Sequence, residues 1–571
     1  MPKTDITIQE LVNKIDRKEL LLPEMQRRYV WTATRVRDLL DSLYRGYPTG
    51  TILVWETDEE IIVKEMPIEA GREPSVASRL LLLDGQQRIT SLAAVITGKK
   101  VHVRNRKKEI EILFNLDHPE GPPEEVTEVE ENGVKGEAEE YDSEEEDEET
   151  DIQSEMRRKV FVVGSHALKN DPVWVSVSDI FKKTDKELLK PLGINSDDCR
   201  WDKYTGRLNR VRKITDYPYV MQVLEKDKSY QEVTEIFVRV NSLGIKLRGS
   251  DLALAQITSK WKGFMEEIEE FARRFKDDED YIVETGLPVR LLTIFATKQC
   301  RFKTIGRIKV DKLKESWEKA KQALDFAVNF ARNNGDIDRL SFLSSPFLLI
   351  PIGIFAVQND ERLNADDEKK LLKWFFIAHM RGHYSLGSSE TIMDSDLSIL
   401  FGKNGPGALL TQLQNHVKKF TVDASDIAGR GTRSPMFSML YFVLKHNNAK
   451  DWFSGIKLAD KNVGKSQSIQ YHHIFPKSLL QDAKYEKKEI NEIANMAFLA
   501  GKTNRHILNK EPKVYFDRDI IPKRGTGALE LQLVPAQKDL WGLDQYREFL
   551  DHRRNAIAKV INDYISRFES I

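Results

Sequence analysis

The segment RLLLLDGQQRITSLAAVITG, residues 79–98, constrains this chain more than any other. An apolar run of strand length stops at Asp84-Gly85, and a helical pattern begins near Gln86. Strand, turn and helix in immediate succession call for a sheet with helices packed on it. The neighbouring sequence agrees. Residues 6–22 have the pattern of a short amphipathic helix leading into LLPEMQRRYVW. Residues 34–44 place Val36, Leu39, Leu40 and Leu43 on one side, with Thr34 as the expected cap. Gly46, Pro48 and Gly50 break that helix, and TILVW follows as a strand. VHVRN and EIEILFNL read as paired strands, and KVFVV and PVWVSVSDI resume that sheet further on. Residues 182 to about 445 are mostly helical in pattern, and a closing helix is expected from about 545 to 568.

At 571 residues the chain is too long for one core. The polar start MPKTDITIQE lacks the apolar region of a secretory signal. The longest apolar stretch, residues 342–357, contains Pro346 and Pro351 and falls short of the roughly 20 residues of a membrane span. A buried helix pair, a cytoplasmic location and no membrane partner are the expectation. Two isolated cysteines, Cys199 and Cys300, fit a reducing compartment and exclude a cysteine-based zinc site. Between Glu120 and Glu155 stand 18 acidic residues and one base, Lys135, a local charge of −17 within a chain of net −2, so the remainder carries +15. Such a tract cannot bury enough apolar surface to fold and reads as a disordered insertion. The basic remainder suits a polyanionic partner. The insertion is either a solvated loop or a nucleic-acid mimic lying over the basic face.

Near the C-terminus, YHHIFPKSLL (471–480) is followed by IANMAFLAGKTNRHILNKEP (493–512). A metal-dependent phosphodiesterase needs one imidazole to activate water, a second group to hold a divalent cation, and amides to orient both. Paired histidines with asparagines at 495, 504 and 509 meet that need. Neighbouring strand residues point to opposite faces. The two histidines are therefore expected to share a site through a turn of the backbone, favoured by Pro476.

This pattern resembles the HNH nuclease superfamily, in the branch reading Asp-His-Ile-x-Pro-x-Ser, then Asn, then Asn-Arg and a further Asn. The nuclease domain of the RNA-guided CRISPR effector shares that layout. The resemblance implies a ββα-metal domain with His473 as general base, His472 and Asn504 as metal ligands, and Asn495 orienting the catalytic loop. Arg505, Asn509 and Lys510 would contact phosphate or DNA. The branch often carries a carboxylate at the position of His472. A neutral imidazole there leaves the metal open: Mg²⁺ first, with Mn²⁺, Ni²⁺ or Zn²⁺ as alternatives.

LLPEMQRRYVW and LLLLDGQQRITSL carry a second resemblance. They are similar to the ParB-like (ParB/sulfiredoxin-like) N-terminal domain of GmrS/GmrD-like modification-dependent restriction and phage-defence proteins, which join it to the same HNH branch. A third family element falls on Phe237, Arg239, Asn241, Ser242 and Gly244, with Leu243 where a glycine is usual. A fourth falls on Arg381, Tyr384 and Ser385. From physics alone, Asp84-Gly85-Gln86-Gln87-Arg88 has two readings. One is a strand–helix turn with an Asp cap and an Arg ion pair. The other is a phosphate site at a helix N-terminus, with Arg88 as a bidentate donor and Asp84 as a carboxylate for Mg²⁺ or water. The resemblance implies the second, an NTP-binding and hydrolysing site in which Asp84 is catalytic and Gln26, Arg27, Gly85, Gln86, Gln87, Arg88, Arg239 and Asn241 bind nucleotide. Phe237, Arg239 and Asn241 equally read as a packing cluster at an element end. Tyr29, Trp31 and Trp55 read as core, or as a stacking platform for a base.

The expected architecture is α+β and multidomain: a nucleotide-binding α/β domain over 1–235 with its insertion at about 118–157, a helical middle over 236–445, the HNH domain over 446–530, and a C-terminal helix over 531–571. The expected function is a nucleotide-dependent, modification-sensing DNA endonuclease of prokaryotic phage defence, using a divalent cation and an NTP. The alternatives are an NTP-independent nicking nuclease, a nucleotide-sensing DNA-binding regulator with an inactive HNH domain, and a toxin acting on RNA. Homo-oligomerisation stays open.

Overall fold

The structure is a computed structural model describing residues 3–26, 29, 31–58, 62–64, 79–99, 111–121, 156–165, 168–243, 249–275, 283–337, 340–385, 389–458, 469–507 and 509–569. Arg27, Gly244, the segment VHVRN and nearly all of the acidic insertion lie outside the described residues, as does the side chain of Asn241. The chain divides into two compact units, Met1–Glu267 and Ile268–Ile571.

The first unit is built on a six-stranded mixed sheet. Its strands are β1 (Lys3–Thr7), β2 (Leu20–Pro23), β3 (Ile52–Thr57), β4 (Val63–Lys64), β5 (Arg79–Asp84) and β9 (Pro218–Leu224), in the order β1-β9-β3-β5-β2-β4. β2 and β3 flank β5, parallel and antiparallel respectively. The leucine run is therefore covered on both faces. Leu82 joins a cluster with Val36, Leu40, Ile89 and Leu92, whereas Leu81 and Leu83 pack with Trp55, Tyr230 and Phe237. Burying each such side chain contributes about 1.5–3 kcal/mol, and it fixes the end of β5, where the motif starts. Trp55 and Tyr29 are core residues, while Trp31 is half-buried.

Two local expectations need correction. Residues 6–22 are not one helix. Ile6 and Thr7 end β1, helix α1 runs Ile8–Asp16, and Leu20–Pro23 is β2. Thr7 is the cap of α1 in a reciprocal capping box with Glu10, which places the helix start two residues later than hydrophobicity alone suggests. Likewise helix α2 spans Ala33–Arg45 and is capped by Thr32, not Thr34. Helix α3 covers Gln86–Thr97, as its sequence predicts.

β9 is the strand that the helical reading of residues 182–445 passes over. It inserts between β1 and β3, antiparallel to the first and parallel to the second. Pro218 opens the strand, the position where its missing N–H does least harm. A separate three-stranded antiparallel sheet, ordered β7 (Phe161–Val163), β6 (Ile112–Asn115), β8 (Trp174–Ser176), joins the two sides of the insertion.

The second unit is helical apart from one two-stranded ribbon among the described residues. The apolar stretch at 342–357 forms two 3₁₀ turns and the buried helix Leu349–Gln358. No described helix is long and apolar enough to cross a membrane. The closing helix is Tyr546–Ser566.

His379 lies wholly buried in this unit. Its Nδ1 accepts from Ser344 N–H at 3.0 Å, its Nε2–H faces Ser438 Oγ at 3.1 Å, and that hydroxyl donates to Pro435 O. A second ring proton would meet the Ser344 N–H, and burial pushes the pKa down to about 3. The unfolded chain takes up a proton below its ordinary value of about 6.5 while the folded chain does not. This site therefore weakens folding by up to about 1.4 kcal/mol per pH unit from about pH 6.5 down towards 3, and contributes nothing above that window. Denaturation midpoints of wild type and His379→Gln, compared between pH 7.5 and 4.5, should converge as pH falls.

Candidate functional site

β10 (Ile469–His473) and β11 (Met496–Ala500) pair antiparallel, with His472 opposite Ala497 and His473 opposite Met496. The helix Gly501–Ile507 follows β11 directly. The strand runs through both histidines, so the expected backbone turn between them does not occur; chain direction changes only after His473. The rings diverge as strand geometry requires. That of His472 meets the helix, where its Nδ1 lies 2.5 Å from Asn504 Oδ1. That of His473 meets the other side, its Nε2 3.0 Å from Asn491 Oδ1.

Around these rings the framework is built from buried polar clamps. Asn495, with no exposed surface, accepts from Phe475 N–H at 2.9 Å and donates to Phe475 O at 3.1 Å and Ile490 O at 3.0 Å. It therefore holds both ends of the segment that connects the strands. Tyr515 OH donates to Ile474 O at 2.8 Å. Asp451 accepts from Ala500 N–H and from Thr503 Oγ1, both at 2.8 Å, fixing the first turn of the helix that carries Asn504. The buried guanidinium of Arg553 donates to Ala494 O at 2.6 Å and Met496 O at 2.9 Å. Asp451, Asn491, Tyr515 and Arg553 were not anticipated from sequence. Only Asn491, four residues before Asn495 in NEIAN, carries a local signal.

Burial dominates the electrostatics. It pushes His472 down to about 4, with the His473 charge acting in the same direction, and it also lowers His473. Both rings are thus neutral at pH 7, as a metal ligand and a general base must be. His472 Nε2 is buried without a partner. If the proton sits on Nδ1 it bonds Asn504, and a lone pair at Nε2 is left dry. If the proton sits on Nε2, the lone pairs of Nδ1 and Oδ1 face each other at 2.5 Å. Neutral imidazole and amide oxygen both ligate divalent cations, so this adjacent pair could hold one once the hydrogen bond between them gives way. Among the described residues no group of three His, Cys, Asp or Glu side chains is placed to hold a metal ion.

The remaining residues of this motif are more dispersed. Arg505 and Asn509 are exposed, and Lys510 Nζ contacts Asp519 at 3.2 Å. In the first unit, Asp84 and Arg88 form an ion pair at 3.3 Å. The Arg88 guanidinium also donates to the carbonyls of Thr49 and Thr51. Gly50, at φ 94°, gives room for this: a Cβ there would collide with the guanidinium. Gln26 donates to Leu82 O at 3.2 Å and to Leu83 O, and Gln87 Oε1 accepts from Trp31 N–H. Gln86 is buried with its Oε1 unpartnered. Gly85 starts α3 without a side-chain cap hydrogen bond, and a helix N-terminus attracts anions. The structure thus brings Asp84, Gly85, Gln86, Gln87, Arg88 and Gln26 together. Arg239 lies on the exposed face of helix Tyr230–Leu243, paired with Glu235, while Phe237 packs under the sheet. Arg381 pairs with Asp426, and Tyr384 OH donates to buried Asp396 at 2.6 Å.

Residues 8–258, which include the Asp84–Arg88 motif, match the family model described as GmrSD restriction endonuclease, N-terminal domain. The chain thus carries a domain of the kind that opens GmrSD restriction endonucleases. The match ends well before the paired histidines. Over nearly its whole length the chain is also similar to the uncharacterized protein MJ0686 of Methanocaldococcus jannaschii, 23% identical over 577 residues that cover 93% of this chain and 90% of that one.

Replacing Asn495 with Ala would leave the Phe475 N–H and two carbonyls without partners in a dry setting. The expected loss is on the order of 3 kcal/mol of stability. Denaturant unfolding of the full chain checks it.

Proposed function

We propose that this protein is a metal-dependent DNA endonuclease whose hydrolytic site is an HNH-type ββα arrangement. The observation that carries the reading is the approach of His472 to Asn504 at 2.5 Å, with His473 next in sequence, on a strand pair that leads into a helix. In this reading His472 and Asn504 hold the cation, Mg²⁺ or Mn²⁺, which when bound supplies Lewis-acid stabilisation of charge on the phosphate. His473 takes a proton from the attacking water. Asn495 holds the segment after His473 in place, and Arg505, Asn509 and Lys510 receive the DNA backbone.

The first unit would bind an NTP at the uncapped start of α3, with Asp84 serving hydrolysis, and would sense modified phage DNA. The match of residues 8–258 to the N-terminal domain of a restriction endonuclease family supports DNA as the substrate. A second reading, an NTP-independent nicking nuclease, is favoured by Arg88, whose donors are committed to Thr49, Thr51 and Asp84.

Cleavage of modified phage DNA and of unmodified plasmid, with Mg²⁺ or Mn²⁺ and with or without each NTP, separates these readings. His473→Ala should lower the rate by about 10²–10⁴-fold. His472→Ala and Asn504→Ala should raise the cation concentration needed by about 10–100-fold. Asp84→Ala should abolish any NTP stimulation while leaving basal cutting intact. Cleavage indifferent to NTP and to Asp84→Ala would select the second reading, and cleavage surviving His473→Ala would refute the HNH assignment.

A further inference from the structure

We infer that Asn491 is a positioning residue that fixes the tautomer and the orientation of the His473 ring. The inference rests on the nuclease reading above and deepens it. Asn491 Oδ1 lies 3.0 Å from His473 Nε2, and Asn491 Nδ2 donates to Lys487 O at 3.0 Å. The second bond decides the first. A carbonyl oxygen can only accept, so the amide must turn its NH₂ to Lys487 and its oxygen to the ring. The opposite flip would set two oxygens against each other. An acceptor facing Nε2 requires the proton there, which leaves Nδ1 as the lone pair able to receive a proton from water.

The amide is itself held. Asn491 ends the short helix Lys487–Ile490, and its N–H bonds Lys487 O. On one side Ile490 O accepts from buried Asn495. On the other, buried Glu492 accepts from Arg554 Nε at 2.6 Å and Nη2 at 2.7 Å, and from Gly429 N–H at 2.9 Å. Asn491 is thus clamped at both neighbours, while its own side chain touches the ring and not the expected position of the cation. A hydrogen-bonding partner of this kind changes rate by about 10–100-fold when lost.

The test compares Asn491→Ala, Asn491→Asp and His473→Ala in the full chain. Asn491→Ala should lower kcat on DNA about 10–100-fold with KM unchanged. Asn491→Asp keeps an acceptor opposite Nε2 and should restore most of that loss. Ring ¹⁵N spectra of histidine-labelled protein, with His473→Ala used to assign the signal, should show the Nε2–H tautomer in wild type and a tautomer mixture in Asn491→Ala. Unchanged kcat in Asn491→Ala, while His473→Ala is inactive, would overturn the inference and leave the nuclease reading standing. So would a loss that Asn491→Asp fails to restore alongside an unchanged ring signal. Full cutting by His473→Ala would overturn both.

Discussion

A two-stranded ribbon does not hold itself together in water, and the candidate site is built on one. Among the described residues β10 and β11 have no third strand, so side chains do the work of missing neighbours. Gln532, fully buried, accepts from Phe498 N–H and donates to Phe498 O, both at 2.8 Å, as a paired strand would. Arg553 binds the carbonyls of Ala494 and Met496 at the entry to β11, and Asp451 binds Ala500 N–H at its exit. A guanidinium with no exposed surface loses hydration, and its pKa falls to about 9. Four accepting carbonyls, including Gln532 O and Leu533 O, compensate it. The consequence is a rigid strand end, which places His472 and His473 against partners from different segments.

How much of this was legible beforehand follows from what each residue depends on. The strand–turn–helix at 79–97 was legible because its pattern is local: an apolar run, a glycine that enters with φ 99°, and an uncapped helix. The approach of His472 to Asn504 was legible only through the motif's resemblance to the HNH branch. β9 was not, because only the alternation of buried Tyr219 and Met221 distinguishes it from the helices around it, and its partners lie more than 160 residues away. Arg553 and Asp451 were opaque for the same reason. A buried arginine on a long helix reads as a solvated one until its four acceptors, scattered over residues 494–533, are brought together.

In the first unit the Asp84–Arg88 motif is tied tightly into the packing. Arg88 reaches back across the Thr49–Thr51 turn, and Gly50 is the residue that permits it. The expectation of a freely offered bidentate phosphate donor underestimates this tie. Even so, α3 starts without a side-chain cap, Asp84 stays partly exposed, and Gln86 keeps a buried acceptor without a partner. A ligand there would draw mainly on backbone donors and would meet Arg88 only by competing with two carbonyls.

His472 stands where a carboxylate is usual in the branch the sequence resembles, and the structure gives that exchange a physical context. Without a cation, a carboxylate in this setting would be an uncompensated charge: its surroundings are dry, and the hydrogen-bond partner it meets among the described residues is the neutral Asn504 amide. An imidazole avoids that cost because burial simply keeps it neutral. The same neutrality sets its donor chemistry. Two uncharged ligands cancel none of a bound cation's charge, so they hold it less tightly than a carboxylate would and leave more of its field for a phosphate. Nitrogen donors also favour the later divalent transition metals over Mg²⁺. On the proposed reading, the imidazole that suits this dry setting is also the ligand that would widen the range of metals accepted.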